Sequence, residues 1–259
     1  MAARALACTL LATLLGSPGT QAPRTTRFRV DQTLSQEIDA TGAGKGKQRL
    51  SFSTTSWLSV TLTDTAGGRS VRVVVDSMRG DSTSPIPPTV FDSAKGAEFH
   101  AFLAHNGRLS DLEGVNVSPA AARVQGFLSD FFPWVKAGAR TNEQWADTSS
   151  KITTDGHDSV VVKRITSYRV VGSEQRNATK ALRVASQYSS AVHGTQPTPN
   201  GPAKLEGTGK GTGTYWVTQD GSYLGGDWQL ESALTLTGSF ADDPLPISIS
   251  QTTKVTTLP

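Results

Sequence analysis

Apolar and polar residues alternate along most of this chain. That is the repeat of a strand with one face buried and the other in water. Leu50-Ser51-Phe52 and Leu58-Ser59-Val60-Thr61-Leu62 show it plainly, and Val71, Val73 and Val75 resume it after a turn at Ala66-Gly67-Gly68-Arg69. Phe28 and Val30 mark an earlier strand. Asn106-Gly107, between Phe99–Ala104 and Arg108–Val115, is a hairpin signal, because Asn-Gly accepts the positive φ angles of tight turns. Gly80 to Lys95, rich in Ser and Pro, reads as a loop.

The period then changes to that of a helix. Ser118 suits an N-cap and Pro119 the first helical position, where no N–H is required. Val124, Phe127, Leu128 and Phe131 follow at the i, i+3, i+4, i+7 spacing of one helical face, and Pro133 stops the run. That apolar face must be buried, against the sheet or across the mouth of a curved one.

From Trp145 the strand rhythm returns, in Trp145–Thr153, Ser159–Val171, Lys180–Val192, Leu205–Val217, Tyr223–Thr237 and Ile247–Leu258. Asp155-Gly156, Asn177-Ala178, Asn200-Gly201, Asp220-Gly221 and Asp243-Pro244 connect them with turn chemistry. Connections this short join antiparallel neighbours. The expected fold is therefore mainly β. About eleven antiparallel strands form a curled sheet, half-barrel or barrel with one amphipathic helix packed on it, since so many strands do not stay flat.

Composition narrows this further. Of 259 residues, 36% are hydrophobic and 18% charged, with 25 Gly and 13 Pro, which excludes collagen-like, coiled-coil and wholly disordered chains. Met1 to Ala22 has the layout of a signal peptide: Arg4, an apolar core from Ala5 to Leu15, breakers at Gly16 to Gly19, and small residues at Thr20-Gln21-Ala22. The apolar core is shorter than the ~20 residues a membrane span needs. Residues 1–22 are thus expected to be removed and 23–259 to form a single β-rich domain, exported to the periplasm or beyond, with no transmembrane segment in the mature chain. Cys8 lies within the leader, so the mature chain would hold no thiol for disulfides, thiolate catalysis or Cys-zinc sites. The net charge of +3 is scattered; the nearest thing to a cluster is Arg24, Arg27 and Arg29. Nucleic acid is not an expected partner, because the basic patch that drives such binding is missing.

Few residues nominate chemistry. His100 and His105 are five apart, a poor ligand spacing on a strand, where they point to opposite faces. Asp155, His157 and Asp158 share a turn, where side chains of this kind are ordinarily solvated. No Gly-x-Ser-x-Gly elbow occurs, and no carboxylate pair stands out for hydrolysis. Gly207, Gly209, Gly211 and Gly213 fall at every second position and run into Tyr215-Trp216-Val217. This is a strand face stripped of side chains, against which a backbone, an aromatic ring or a ligand packs closely. No cofactor, no metal and no catalytic residue is expected. The aromatic residues Phe127, Phe131, Trp134, Trp145, Tyr215, Trp216 and Trp228 either build an ordinary core or line a pocket between the helix and the concave sheet.

Gly126 to Trp145 (GFLSDFFPWVKAGARTNEQW) resembles a pattern in uncharacterised exported bacterial β-rich proteins: a helix ending in Phe-Pro, a Gly-containing loop, then a Trp opening a strand. The hairpin at Asp155-Gly156 and the Gly/Thr-rich strand reaching Tyr215 are also similar. That resemblance implies no activity. At the level of architecture the expected fold is similar to the periplasmic lipoprotein-carrier half-barrels, which hold acyl chains. The functional expectation is an exported, non-enzymatic protein that takes a hydrophobic small molecule, a lipid or an envelope protein partner on its concave face. The alternatives are a structural or accessory subunit of an envelope complex, using strand edges or Ile86 to Thr89, and a hydrolase with dispersed carboxylates.

Overall fold

The computed structural model describes residues 22–135, 138–155, 158–176, 178–198, 201–238 and 243–259. Residues 1–21 of the expected leader 1–22 lie outside them, as do Gly156, His157, Asn177 and Asn200 of the expected turns.

The expected curled antiparallel sheet is present as a half-barrel. On one side of the helical region run β1 (Arg24–Ala40), β2 (Gly46–Thr65), β3 (Gly68–Gly80), β4 (Glu98–Ala104) and β5 (Leu109–Val115). On the other run β6 (Gln144–Asp155), β7 (Asp158–Arg176), β8 (Thr179–Thr198), β9 (Gly201–Val217), β10 (Tyr223–Thr237) and β11 (Leu245–Thr257). The spatial order is β5-β4-β3-β2-β1-β11-β10-β9-β8-β7-β6, so the first and last strands pair at the centre while β5 and β6 are the two free edges. This order dictates the role of residues 116–143, which join opposite edges and must cross the hollow of the sheet to do so.

Bulges at Trp57/Leu58, His100/Phe102, Val170/Gly172 and Tyr223/Gly225 sharpen the curl, since an unpaired residue bends a strand and increases its local twist. Asn106-Gly107 turns the β4–β5 hairpin, with Gly107 at φ 83° and the Asn106 Oδ1 accepting the Arg108 N–H. His105 is exposed beside that turn, and the exposed His100 on β4 meets Glu98 at 2.8 Å.

Two departures from the sequence reading have simple causes. The Ser/Pro-rich loop contains a short helix, α1 (Pro88–Asp92), which starts on Pro88 and delivers Phe91, 2% exposed, into the core. The main helix, α2 (Pro119–Leu128), begins as expected, with the Ser118 side chain accepting the Ala121 N–H, but it ends at Leu128. Pro133 would clash with the carbonyl four residues earlier and disfavours helical geometry at Phe132. The chain therefore tightens: Asp130 N–H bonds Phe127 O, and Phe131 N–H bonds Leu128 O, both i→i−3.

The core lies beneath α2. Ala121, Val124, Phe127 and Leu128 face Phe28, Val30, Leu58, Val73, Val75 and Phe99 of the concave face. Phe131, 0% exposed, fills the middle of the hollow, with ring centroids 5.2 Å from Phe28, 5.1 Å from Tyr223 and 5.0 Å from Phe132, all edge-on. No described helix is long and apolar enough to cross a membrane.

Candidate functional site

The crossover covers the concave face unevenly. It packs over the end bearing Phe28 and Leu58, but towards the other end Leu34, Ile38, Leu230, Leu234 and Ile249 are only half-buried and Leu50 is 39% exposed. Register places these on the same face: Leu34 and Leu230 both flank Gln251, and Ile38 and Leu234 both flank Ile247. Apolar side chains gathered in a hollow and facing water form a surface suited to an apolar ligand.

Two cavities lie where the covered and uncovered parts meet. The first, about 340 Å³, is walled by Leu34, Phe52, Phe127, Trp228 and Leu230, with Arg123 and Gln251 among its polar groups. The exposed Arg123 guanidinium sits 5.0 Å from the Phe52 ring and has no carboxylate partner among the described residues. The second cavity, about 350 Å³, lies between the segment after α2 and strands β6 to β8. Asp130, Trp228 and Leu230 belong to both, so the two are arms of one trough.

Charges in the second arm are paired. Arg164 on β7 forms an ion pair with Asp130, and its guanidinium lies 4.7 Å from the Tyr188 ring. Arg108, at the β4–β5 hairpin, forms an ion pair with Asp147 on β6, a side-chain tie between the two free edges that share no backbone ladder. Each carboxylate in this arm thus holds an arginine. Among the described residues no group of three or more metal-ligating side chains forms; His157 and the Asp155 side chain lie outside them.

The aromatic residues nominated from sequence divide by position. Phe127 lines the first arm, Trp134 and Tyr215 the second, and Trp228, stacked on Tyr215 at 5.7 Å, lines both. Phe131 is a plug behind the trough. Trp145 is a support: it stacks on Tyr168 at 5.6 Å and its Nε1 donates to the Trp134 carbonyl at 2.8 Å. Trp216 is corrected out of the set. Strand alternation sends Tyr215 inward and therefore Trp216 to the convex face, where Glu174 accepts its Nε1–H at 2.8 Å and Arg176 lies 3.6 Å from its ring.

The glycine strip resolves into the close packing its spacing implies. All four glycines face inward on β9, Gly211 beneath the Tyr188 ring, Gly213 beside Ser186 and Trp228, and Gly207 against the β10 backbone. Arg164, Asp130, Tyr168, Tyr188 and Leu230 were not singled out by sequence. Parity in β7, β8 and β10 is readable for the four strand residues, but the register that gathers them, and the approach of Asp130 from the segment after α2, is not.

All 4 tyrosines sit on or near this hollow with their phenols harder to ionise than in water. Burial pushes Tyr168 and Tyr188 up to about 12, and pushes Tyr215 and Tyr223 up further. In the unfolded chain they ionise near pH ~10. Between those values the unfolded state holds fewer protons, so stability intact below about pH 10 falls as pH rises towards 12. A near-ultraviolet titration of the native protein is expected to show almost no tyrosinate at about pH 10.5, and roughly three quarters of the full signal at that pH once denatured. A native midpoint near pH ~10 would contradict this burial.

Comparison with models of protein families, with curated proteins and with solved structures gives no match to this chain.

Proposed function

We propose that this protein binds and carries the hydrophobic portion of a small molecule or lipid in the trough of its half-barrel, without chemical conversion. The observation that carries the reading is the half-buried apolar surface running on from the first cavity, from Leu34 and Leu230 to Ile38 and Leu234. A crossover that closed the whole hollow would bury these residues. This one stops short, leaving a slot whose volume lies in the range of small-ligand pockets. Burial of a ligand chain there is favourable by about 25 cal/mol per Å² of apolar surface removed from water. The leader-like N-terminus supports a setting outside the cytoplasm, where an apolar ligand has to be shielded in transit.

The test is uptake of a fluorescent fatty acid by the purified protein, read by ligand emission and by tryptophan quenching. Saturable binding is expected, and Leu230→Asp is expected to weaken it by about tenfold or more, because a charge on the trough floor must be desolvated by the chain. Leu230 is half-buried, so circular dichroism of the variant should stay native. Absence of saturable uptake by the unaltered protein would overturn the proposal.

A further inference from the structure

We infer that the ligand is an amphiphile with an uncharged, hydroxyl-rich headgroup, its chain in the first arm of the trough and its headgroup in the second. This deepens the ligand-binding reading above and rests on it. The two arms differ in chemistry. The first is walled mainly by Leu34, Phe52, Phe127 and Leu230. The second presents Ser129, Ser149, Thr166 and Tyr188 beside the two ion pairs. Because Asp130, Trp228 and Leu230 are common to both, one molecule can occupy the two at once.

Charge accounting then selects the headgroup. Arg164 is matched by Asp130 and Arg108 by Asp147, so the polar arm carries no surplus charge of either sign. An anionic headgroup would have to displace an aspartate, and a cationic one an arginine. A sugar-like headgroup needs neither, because hydroxyls donate to the carboxylates and accept from the guanidiniums while both pairs stay intact. A site with polar groups placed in this way discriminates against ligands that leave them unpaired.

The test compares three amphiphiles sharing a dodecyl tail, namely dodecyl maltoside, dodecanoate and dodecyltrimethylammonium, titrated calorimetrically below micelle-forming concentrations. The maltoside is expected to bind at least about tenfold tighter than either ion. Equal affinities would overturn the headgroup inference while leaving the chain-binding reading standing. Tighter binding of dodecanoate would overturn it in favour of an anion at Arg123, and no binding of any of the three would sink both readings. The double variant Ser149→Ala, Tyr188→Phe places the headgroup. It is expected to shrink the maltoside's advantage at least about threefold while dodecanoate binding, which also reports a folded trough, is unchanged. An unaltered advantage would show that the headgroup lies elsewhere.

Discussion

Replacing Phe131 by alanine is expected to cost about 4 kcal/mol of folding stability. The side chain is 0% exposed and meets Phe28, Phe132 and Tyr223 edge-on, with Phe127 tilted at 6.5 Å. It lies just past the end of α2, on the one connection between the free edges. Its loss therefore does two things at once. It leaves a cavity that surrounding strands, held by their ladders, cannot collapse to fill, and it removes the contact that seats the crossover on β1 and β10. At about 2–4 °C per kcal/mol for a domain of this size, the melting temperature should fall by roughly 10 °C. Phe131→Leu keeps most of the volume and should cost about 1.5 kcal/mol. Urea titrations of the three proteins measure these differences. A cost below about 1 kcal/mol for the alanine variant would mean that the rings do not close this end of the hollow.

The same residue shows what sequence patterning can and cannot convey. Phe131 falls on the apolar face of an ideal helix, and its burial follows from that spacing even though the helix ends before it. The face survives because the tightened turn after Leu128 keeps Phe131 on the side of Phe127. Strand number and the helix between the two runs of strands are likewise legible, because alternation, capping and turn chemistry are local. The pairing of β1 with β11 was not, since no local signal tells the first strand that its neighbour is the last. Everything that depends on that pairing was hidden with it: the union of Leu34 with Leu230 across Gln251, and the approach of Arg164 to Asp130. Trp216 illustrates an opposite failure. The alternation that places Tyr215 inward is fully readable and sends its neighbour outward, so aromatic character alone does not mark a trough residue.

The glycine strip of β9 yields the second large effect, and its sign can be checked against a glycine elsewhere. A Cβ at Gly207 would stand 2.2 Å from the Ala233 carbonyl oxygen and 2.7 Å from the Leu234 Cα, both backbone atoms of the paired strand. No rotamer change relieves such a contact; β9 and β10 would have to separate or flatten, against the curl that forms the trough. Gly207→Ala is expected to destabilise by about 3 kcal/mol, towards the upper end of overpacking costs. Gly213→Ala meets the Ser186 Oγ at 2.8 Å, which can rotate away, and the Trp228 Cβ at a less severe 3.1 Å, and should cost about 1 kcal/mol. Gly126, exposed within α2, has nothing within 4 Å of an added Cβ. There the same substitution should stabilise by about 1 kcal/mol, since alanine is the better helix former and narrows the unfolded ensemble. One chemical change thus spans some 4 kcal/mol from curled strand to open helix. Curl at β9 is also what brings Tyr188 over Gly211 and into the polar arm. Gly207→Ala should therefore impair ligand uptake at temperatures where the protein remains folded. If Gly207→Ala is neutral in chemical denaturation, close approach of the two backbones is not what shapes this half-barrel.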